Sequence, residues 1–169
     1  MIRLLILPPQ LVIFFGGKEP LQQPEVVVEL QAKFPAAYLI GGSTSGEIIG
    51  DEVLDDSVVA TAIEFEHTSV EMASMNIHDA VDSLVLGQQL AKQLPLEGLN
   101  SVFVLSDGHL VNGSLLVKGL ISILGETTIL TGGLAGDGDR FEETLVCANS
   151  ALESGRVGVV GFYGESLLV

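Results

Sequence analysis

Residues 130–140 read "LTGGLAGDGDR", four glycines and two aspartates directly after a run of apolar and β-branched residues. Residues 39–47, "LIGGSTSGE", are nearly the same phrase written earlier in the chain. Each reads as a buried strand that sheds its side chains at its end. Glycine tolerates positive φ and lets backbone N–H groups come close to whatever lies beyond the strand. The two stretches are therefore read as matching halves of one ligand site.

The rest of the chain is also written twice. "LVIFF" at 11–15 is a continuous apolar β-type run ended by Gly16-Gly17. "PLQQPEVVVELQAKF" carries Val27, Leu30 and Phe34 at helical spacing. "AAYLI" is a strand ended by Gly41-Gly42, and "SVVATAIEFEH" and "SVEMASMNI" are two more. A helix over 79–94 follows, with Asp79 as its N-cap and Val81, Leu84, Val85 and Leu90 as its stripe. The pattern then restarts: strand "SVFVL", an Asp107-Gly108 turn, helix "NGSLLVKGLISIL" closed by Gly125, strand "TTIL" ended by Gly132-Gly133, and strands "ETLVCAN" and "RVGVVGFYG". Gly17 to Gly108, Gly41 to Gly132 and Gly42 to Gly133 share one spacing of 91 (108 − 17, 132 − 41, 133 − 42). The expected fold is mixed α/β: two pseudo-symmetric βαβββ units, 11–76 and 101–164, forming a mixed sheet or sheets packed with helices. The helix over 79–94 links them within one domain spanning 1–169.

Composition bounds the function. At 169 residues the chain can bury about 70% of its unfolded surface without staples. Seven Lys+Arg against 22 Asp+Glu give a net charge of −15. No two basic residues are adjacent, so the basic patch that nucleic acid or an anionic membrane requires is missing. Pro8-Pro9 and Gln10 break the apolar N-terminal run far short of the ~20 residues of a membrane helix, and no small-x-small cleavage site follows. Cys147 is the one cysteine. It excludes an internal disulfide and fits a reducing, cytoplasmic compartment; its apolar surroundings read as those of a buried structural thiol.

If each strand–helix–strand unit is parallel, both diglycine loops and the Asp107 turn lie on the carboxyl rim of the sheet, where ligands of open α/β sheets bind. Gly41, Gly42, Ser43, Thr44, Gly132, Gly133, Ala135 and Gly136 would supply an amide lining. Asp107, Asn112, Asp137 and Arg140 would supply polar recognition. The acidic surroundings, Glu47, Asp51, Glu52, Asp139, Glu142 and Glu143 among them, would repel a bare phosphate. A zwitterion fits better, its ammonium on Asp107 or Asp137 and its carboxylate on loop amides or Arg140. Glycine-rich connections also serve as plain turns and bulges between packed strands, and residues alone leave both readings open. Neither GxGxxG nor GxxxxGK[ST] is present in its required context. Ser43, Thr44, Ser45 and Ser106 are potential nucleophiles, but no GxSxG elbow, HExxH motif or EF-hand spacing accompanies them. A non-catalytic protein without a metal is expected.

The stretches "LIGGSTSGEI", "VLSDGHLVNGSLLVKGL" and "ILTGGLAGDGDRFEETLV" resemble the FIST domain family, specifically its N-terminal half-domain, over about residues 11–165. The resemblance implies a sensory ligand-binding module of signal transduction, tied to kinases, cyclic-nucleotide enzymes and chemotaxis-type receptors, with small ligands such as amino acids. No cofactor is required. Some similar members bind haem and sense nitric oxide, for which His109, beside the Asp107 turn, would be the axial ligand here. The family usually carries a companion C-terminal domain; this chain is expected to lack that domain and a leading segment before the first strand, and is read as a fragment, a truncated gene product or a stand-alone domain. The expected partners are a small molecule and that companion domain or a signalling protein; an exposed docking face would also favour a homo-oligomer.

Overall fold

A computed structural model describes residues 8–164; the apolar opening Met1–Leu7 lies outside the described residues. Ten strands are described. β1 (Leu11–Gly16), β2 (Tyr38–Ser43), β5 (Val58–Ile63) and β9 (Val146–Ala148) form one sheet in the order β5-β1-β2-β9. β6 (Ser69–Asn76), β7 (Leu99–Ser106), β8 (Ile129–Leu134) and β10 (Arg156–Tyr163) form a second, β6-β10-β7-β8. β3 (Glu47–Ile49) and β4 (Glu52–Leu54) make a separate hairpin. The helices are α1 (Lys18–Leu21), α2 (Pro24–Lys33), α3 (Ser83–Ala91) and α4 (Gly113–Leu124). Both sheets are mixed, each with one parallel pair, β1 with β2 and β7 with β8.

Strand alternation sorts the apolar side chains into three clusters and the elements into four layers. Val12, Phe14 and Leu39 pack outward against Leu21 of α1 and Val26, Val27 and Leu30 of α2. The opposite faces, Leu11 and Ile40 among them, meet Leu105 and Val160 of the second sheet. The far face of that sheet, with Val102, Val104, Val157 and Val159, packs under Leu86 and Leu90 of α3 and Leu116 and Leu120 of α4. The order is helices, sheet, sheet, helices. Such a sandwich requires both faces of each sheet to be apolar, which is why "LVIFF" and "SVFVL" are continuous runs rather than alternating ones.

Several expectations are corrected. The linking helix does not start at Asp79. Asn76 accepts a hydrogen bond from His78 N (3.2 Å) and starts a short 3-10 turn, Ile77–Asp79; Asp82 then caps α3 by accepting from Val85 N (2.8 Å). Val81 falls before the helix and is 91% exposed, while Leu86 joins Leu90 in the buried stripe. The first long helix is two, because Pro24, which lacks an N–H, suits the first turn of a new helix. The diglycine pairs are not turns: β2 runs through Gly41-Gly42 and β8 through Gly132-Gly133. A Cβ on Gly41 would lie 2.3 Å from the Phe14 carbonyl oxygen, and one on Gly132 1.9 Å from that of Val104. Glycine is needed at both for parallel strand packing. The register also refines the repeat. Gly41 pairs with Phe14 and Gly132 with Val104, an offset of 91 in the second strands (132 − 41) but 90 in the first (104 − 14). Gly16-Gly17 is thus matched by Ser106-Asp107, not by Asp107-Gly108.

α3 and α4 cross at two glycines. A Cβ on Gly119 would lie 2.1 Å from the Leu84 carbonyl oxygen, and one on Gly87 2.3 Å from that of Leu116. In an open helix Gly→Ala gains about 1 kcal/mol. Here Gly119→Ala should instead cost about 1–3 kcal/mol through overpacking. The midpoint of urea unfolding checks the sign.

Candidate functional site

The carboxyl ends of β1, β2, β7 and β8 meet on one rim. Gly136 N donates to Ser43 O (2.8 Å), Ala135 N to Ser106 O (2.8 Å) and Thr44 N to Gly16 O (3.0 Å). Ser43 is enclosed: its N donates to Leu145 O and its Oγ accepts from Leu145 N, both at 2.9 Å. The two phrases of sequence therefore do come together. They come together as a packed rim, with Gly41, Gly42, Ser43 and Ala135 all buried.

Asp107 is fully buried in that rim. Its Oδ1 accepts from His109 N (2.8 Å) and Leu110 N (2.6 Å); its Oδ2 accepts from Thr144 Oγ1 (2.9 Å), Gly155 N (2.9 Å) and Ser154 Oγ (3.4 Å). Burial alone would raise its pKa. The donors from Gly155, Leu110, Thr144 and His109 outweigh it and hold the carboxyl below its ordinary 3.8. Asp137 is built the same way. It accepts from Arg140 Nε (2.9 Å) and from Glu142 N and Glu143 N (3.1 Å each), and Lys18 Nζ stands 3.9 Å away. Burial again opposes, and the donors from Glu143, Arg140 and Glu142 prevail. Both carboxylates are committed to the protein's own donors.

Next to this packed rim, where the chain runs on past Ser43 and Asp137, lies a hollow of about 290 Å³. Gly17 and the segment Thr44–Glu47 form one wall, Asp55 and Asp56 a second, and Gly138–Arg140 a third. Both halves of the chain contribute, and Gly138 N donates to Ser45 Oγ (3.1 Å) where they touch. The hairpin β3–β4 folds back so that Asp55-Asp56 reaches the end of β1; Asp56 takes a left-handed φ of 53°, which aspartate tolerates better than most residues. Glu47 is buried, its Oε1 bonded by Thr44 Oγ1 and its Oε2 by Ser57 Oγ (2.9 Å) and Ser57 N (3.3 Å). Arg140 gives its Nε to Asp137 and places Nη1 3.6 Å from Glu19. Four carboxylates and one guanidinium therefore line the hollow. Among the described residues, no group of His, Cys, Asp and Glu is placed to hold a metal ion.

Of the residues selected from sequence, Thr44 and Arg140 line this hollow. Gly41, Gly42, Ser43, Asp107, Ala135 and Asp137 are buried in the packed rim and do not line it. Gly136 does not line it either, although a Cβ there would lie 3.1 Å from Ser45 Oγ, which does. Asn112 stands apart and caps α4, accepting from Leu115 N (3.1 Å). Gly132 and Gly133 border a different, apolar groove beside α4. Ser45, Gly46, Asp55 and Asp56 were not selected; the adjacent aspartates after a Gly50-Asp51 turn were the available signal. Cys147 is buried, donates to Ser150 O (2.9 Å), and has its pKa pushed up to about 11 by burial, as a structural thiol should.

Residues 10–169 match the FIST N domain. The chain belongs to the FIST family. No curated protein matches it. FIST domains form a sensory family of signal transduction that is generally non-catalytic, which is the broad function of this chain. No helix among the described residues of this FIST domain is long and apolar enough to cross a membrane.

The depressed carboxyls set a pH dependence. A group whose folded pKa lies below its unfolded value contributes fully above the unfolded value and loses that contribution as pH falls through the folded one. Stability should therefore drop below about pH 4, the unfolded carboxylate value. Asp107→Asn should cost about 3 kcal/mol at neutral pH, because buried donors lose their acceptor, and should flatten that acid limb. Urea unfolding at a series of pH values measures both.

Proposed function

We propose that the hollow bounded by Thr44–Glu47, Asp55-Asp56 and Gly138–Arg140 is the sensing site, and that its ligand is a small ammonium-bearing zwitterion such as a free amino acid. The observation that carries this reading is the lining itself, carboxylates in excess with one guanidinium at the edge, where the two halves of the chain meet. The volume lies at the lower end of the ~300–1,000 Å³ typical of ligand sites, which favours a molecule of amino-acid size. Asp55, Asp56 and Asp139 would take the ammonium. Arg140 and the amides of the glycine loops would take the carboxylate. The packed rim beside the hollow keeps these groups in place.

Such a site signals only if the ligand binds two states with different affinity. Its walls come from loops of both halves, so a bridging ligand would tighten the joint between them. The changed surface would then be read by a companion domain or signalling protein, in the cytoplasm that a lone free cysteine suits. The haem alternative finds less support. His109 is exposed, its ring packs edge-on to Phe141 at 6.3 Å, and it lines neither the acidic hollow nor the groove beside α4.

Calorimetry with the common amino acids at millimolar concentration tests the proposal. At least one should bind, and Asp56→Asn should weaken it tenfold or more, a loss of about 1.4 kcal/mol, with the fold unchanged by circular dichroism. No heat from any of them, or a variant binding as well as the parent, removes this site and ligand class.

A further inference from the structure

Two neighbouring hydroxyls in the hollow are left in opposite bonding states. A hydroxyl has one proton to give and two lone pairs that accept. Thr44 has given its proton: its Oγ1 donates to Oε1 of Glu47. Glu47 is buried, and its other oxygen accepts from Ser57 Oγ (2.9 Å) and Ser57 N (3.3 Å). A buried carboxylate is tolerated only with its donors in place, so Thr44 meets a ligand as an acceptor. Ser45 is the reverse. Its Oγ accepts from Gly138 N (3.1 Å), and no described residue accepts its proton. Ser45 meets a ligand as a donor.

The two hydroxyls also belong to different ends of the hollow. Thr44 and Glu47 lie toward Asp55-Asp56, since Ser57, the residue after Asp56, bonds Glu47, and a Cβ on Gly46 would lie 3.6 Å from Asp55 Oδ1. Ser45 lies toward Gly138–Arg140, through its bond with Gly138. At that end the Arg140 guanidinium is already engaged, by Asp137 at Nε (2.9 Å) and Glu19 at Nη1 (3.6 Å), and Asp139 shares the wall. The side-chain proton left open there is that of Ser45.

Taking the hollow as the sensing site for an ammonium-bearing zwitterion, on which this inference rests, we propose that Thr44 and Ser45 fix which way round the ligand lies. Thr44 Oγ1 accepts from the ammonium, and Ser45 Oγ donates to the carboxylate. Each bond has a charged partner in the ligand and is therefore of the stronger kind. The pair also excludes the reversed pose, which would set ligand oxygens against the Thr44 lone pairs and leave polar groups unpaired.

Calorimetry with two probes tests this: the common L-amino acid that binds the parent protein tightest, and the primary amine left when its carboxylate is removed. Both should bind the parent. Thr44→Val should weaken both by about tenfold, whereas Thr44→Ser, which keeps the hydroxyl, should stay within about twofold of the parent. Ser45→Ala should weaken the amino acid about tenfold and leave the amine unchanged. Circular dichroism should show all three variants folded. A merely loosened loop would weaken both probes alike, so the contrast between them at Ser45→Ala separates recognition from a structural effect. If the amino acid binds and Asp56→Asn weakens it, the site stands; an amine that does not bind, a Thr44→Val protein that binds like the parent, or a Ser45→Ala protein that treats both probes alike then overturns the orientation alone. No binding of any amino acid to the parent removes site and orientation together.

Discussion

One buried carboxylate holds the rim together. Asp107 lies where β7 gives way to the turn before α4, and it ends that strand by accepting from the next two backbone amides, His109 and Leu110. Its other oxygen binds Thr144, before β9, and Gly155, before β10. Thr144 Oγ1 in turn accepts from Gly108 N (2.9 Å). Segments far apart in sequence are thus pinned to one atom pair. A charge this deep is tolerated only because its lone pairs are filled. The filling also removes it from ligand chemistry: an ammonium group could reach Asp107 only by displacing the donors that hold the turn. The same reasoning makes Asp137 part of the frame, so that under the proposed reading recognition would rest on the carboxylates that line the hollow.

Much of the architecture was legible. Continuous β-type runs at 11–15 and 101–105 required sheets covered on both faces, and the strand–helix–strand spacing required the parallel pairs. The convergence of 39–47 with 130–140 followed from that topology. What was not legible was register. Gly-Gly is a generic turn signal, and nothing local distinguishes a turn from a strand whose neighbour's carbonyl leaves no room for a Cβ. The N-cap of α3 was misplaced for a related reason. Asp79 and Asp82 both precede an apolar run, and only the Asn76–His78 hydrogen bond, which spends Asp79 in a 3-10 turn, decides between them. The hairpin β3–β4 escaped notice because Ile48 and Val53, apolar in sequence, are both exposed, so no polar alternation marked the strands.

That hairpin also explains why the lining of the hollow is only half legible in the sequence. Thr44 and Arg140 belong to the two repeated phrases, which signal them. Asp55 and Asp56 belong to neither. They reach the hollow because an insertion between β2 and β5 turns back on itself, a long-range event with only a Gly50-Asp51 turn to announce it.

The division between packed rim and hollow follows from a conflict between two demands on glycine and carboxylate. Close-packed parallel strands require glycine where a carbonyl leaves no room, and a buried turn requires a carboxylate saturated with donors. Residues that meet those demands while buried, Gly41 and Asp107 among them, are fixed and are not open to a ligand. Under the proposed reading, recognition would fall to the next residues along the chain, past the ends of the strands, where Thr44, Asp56 and Arg140 line the hollow. A preorganised site needs a fixed support such as the packed rim, because loop side chains are held accurately only when the backbone they stand on does not move. In this FIST domain the repeated phrases therefore contribute their backbone geometry, and under the proposed reading the selectivity of the hollow would come from the acidic residues around them.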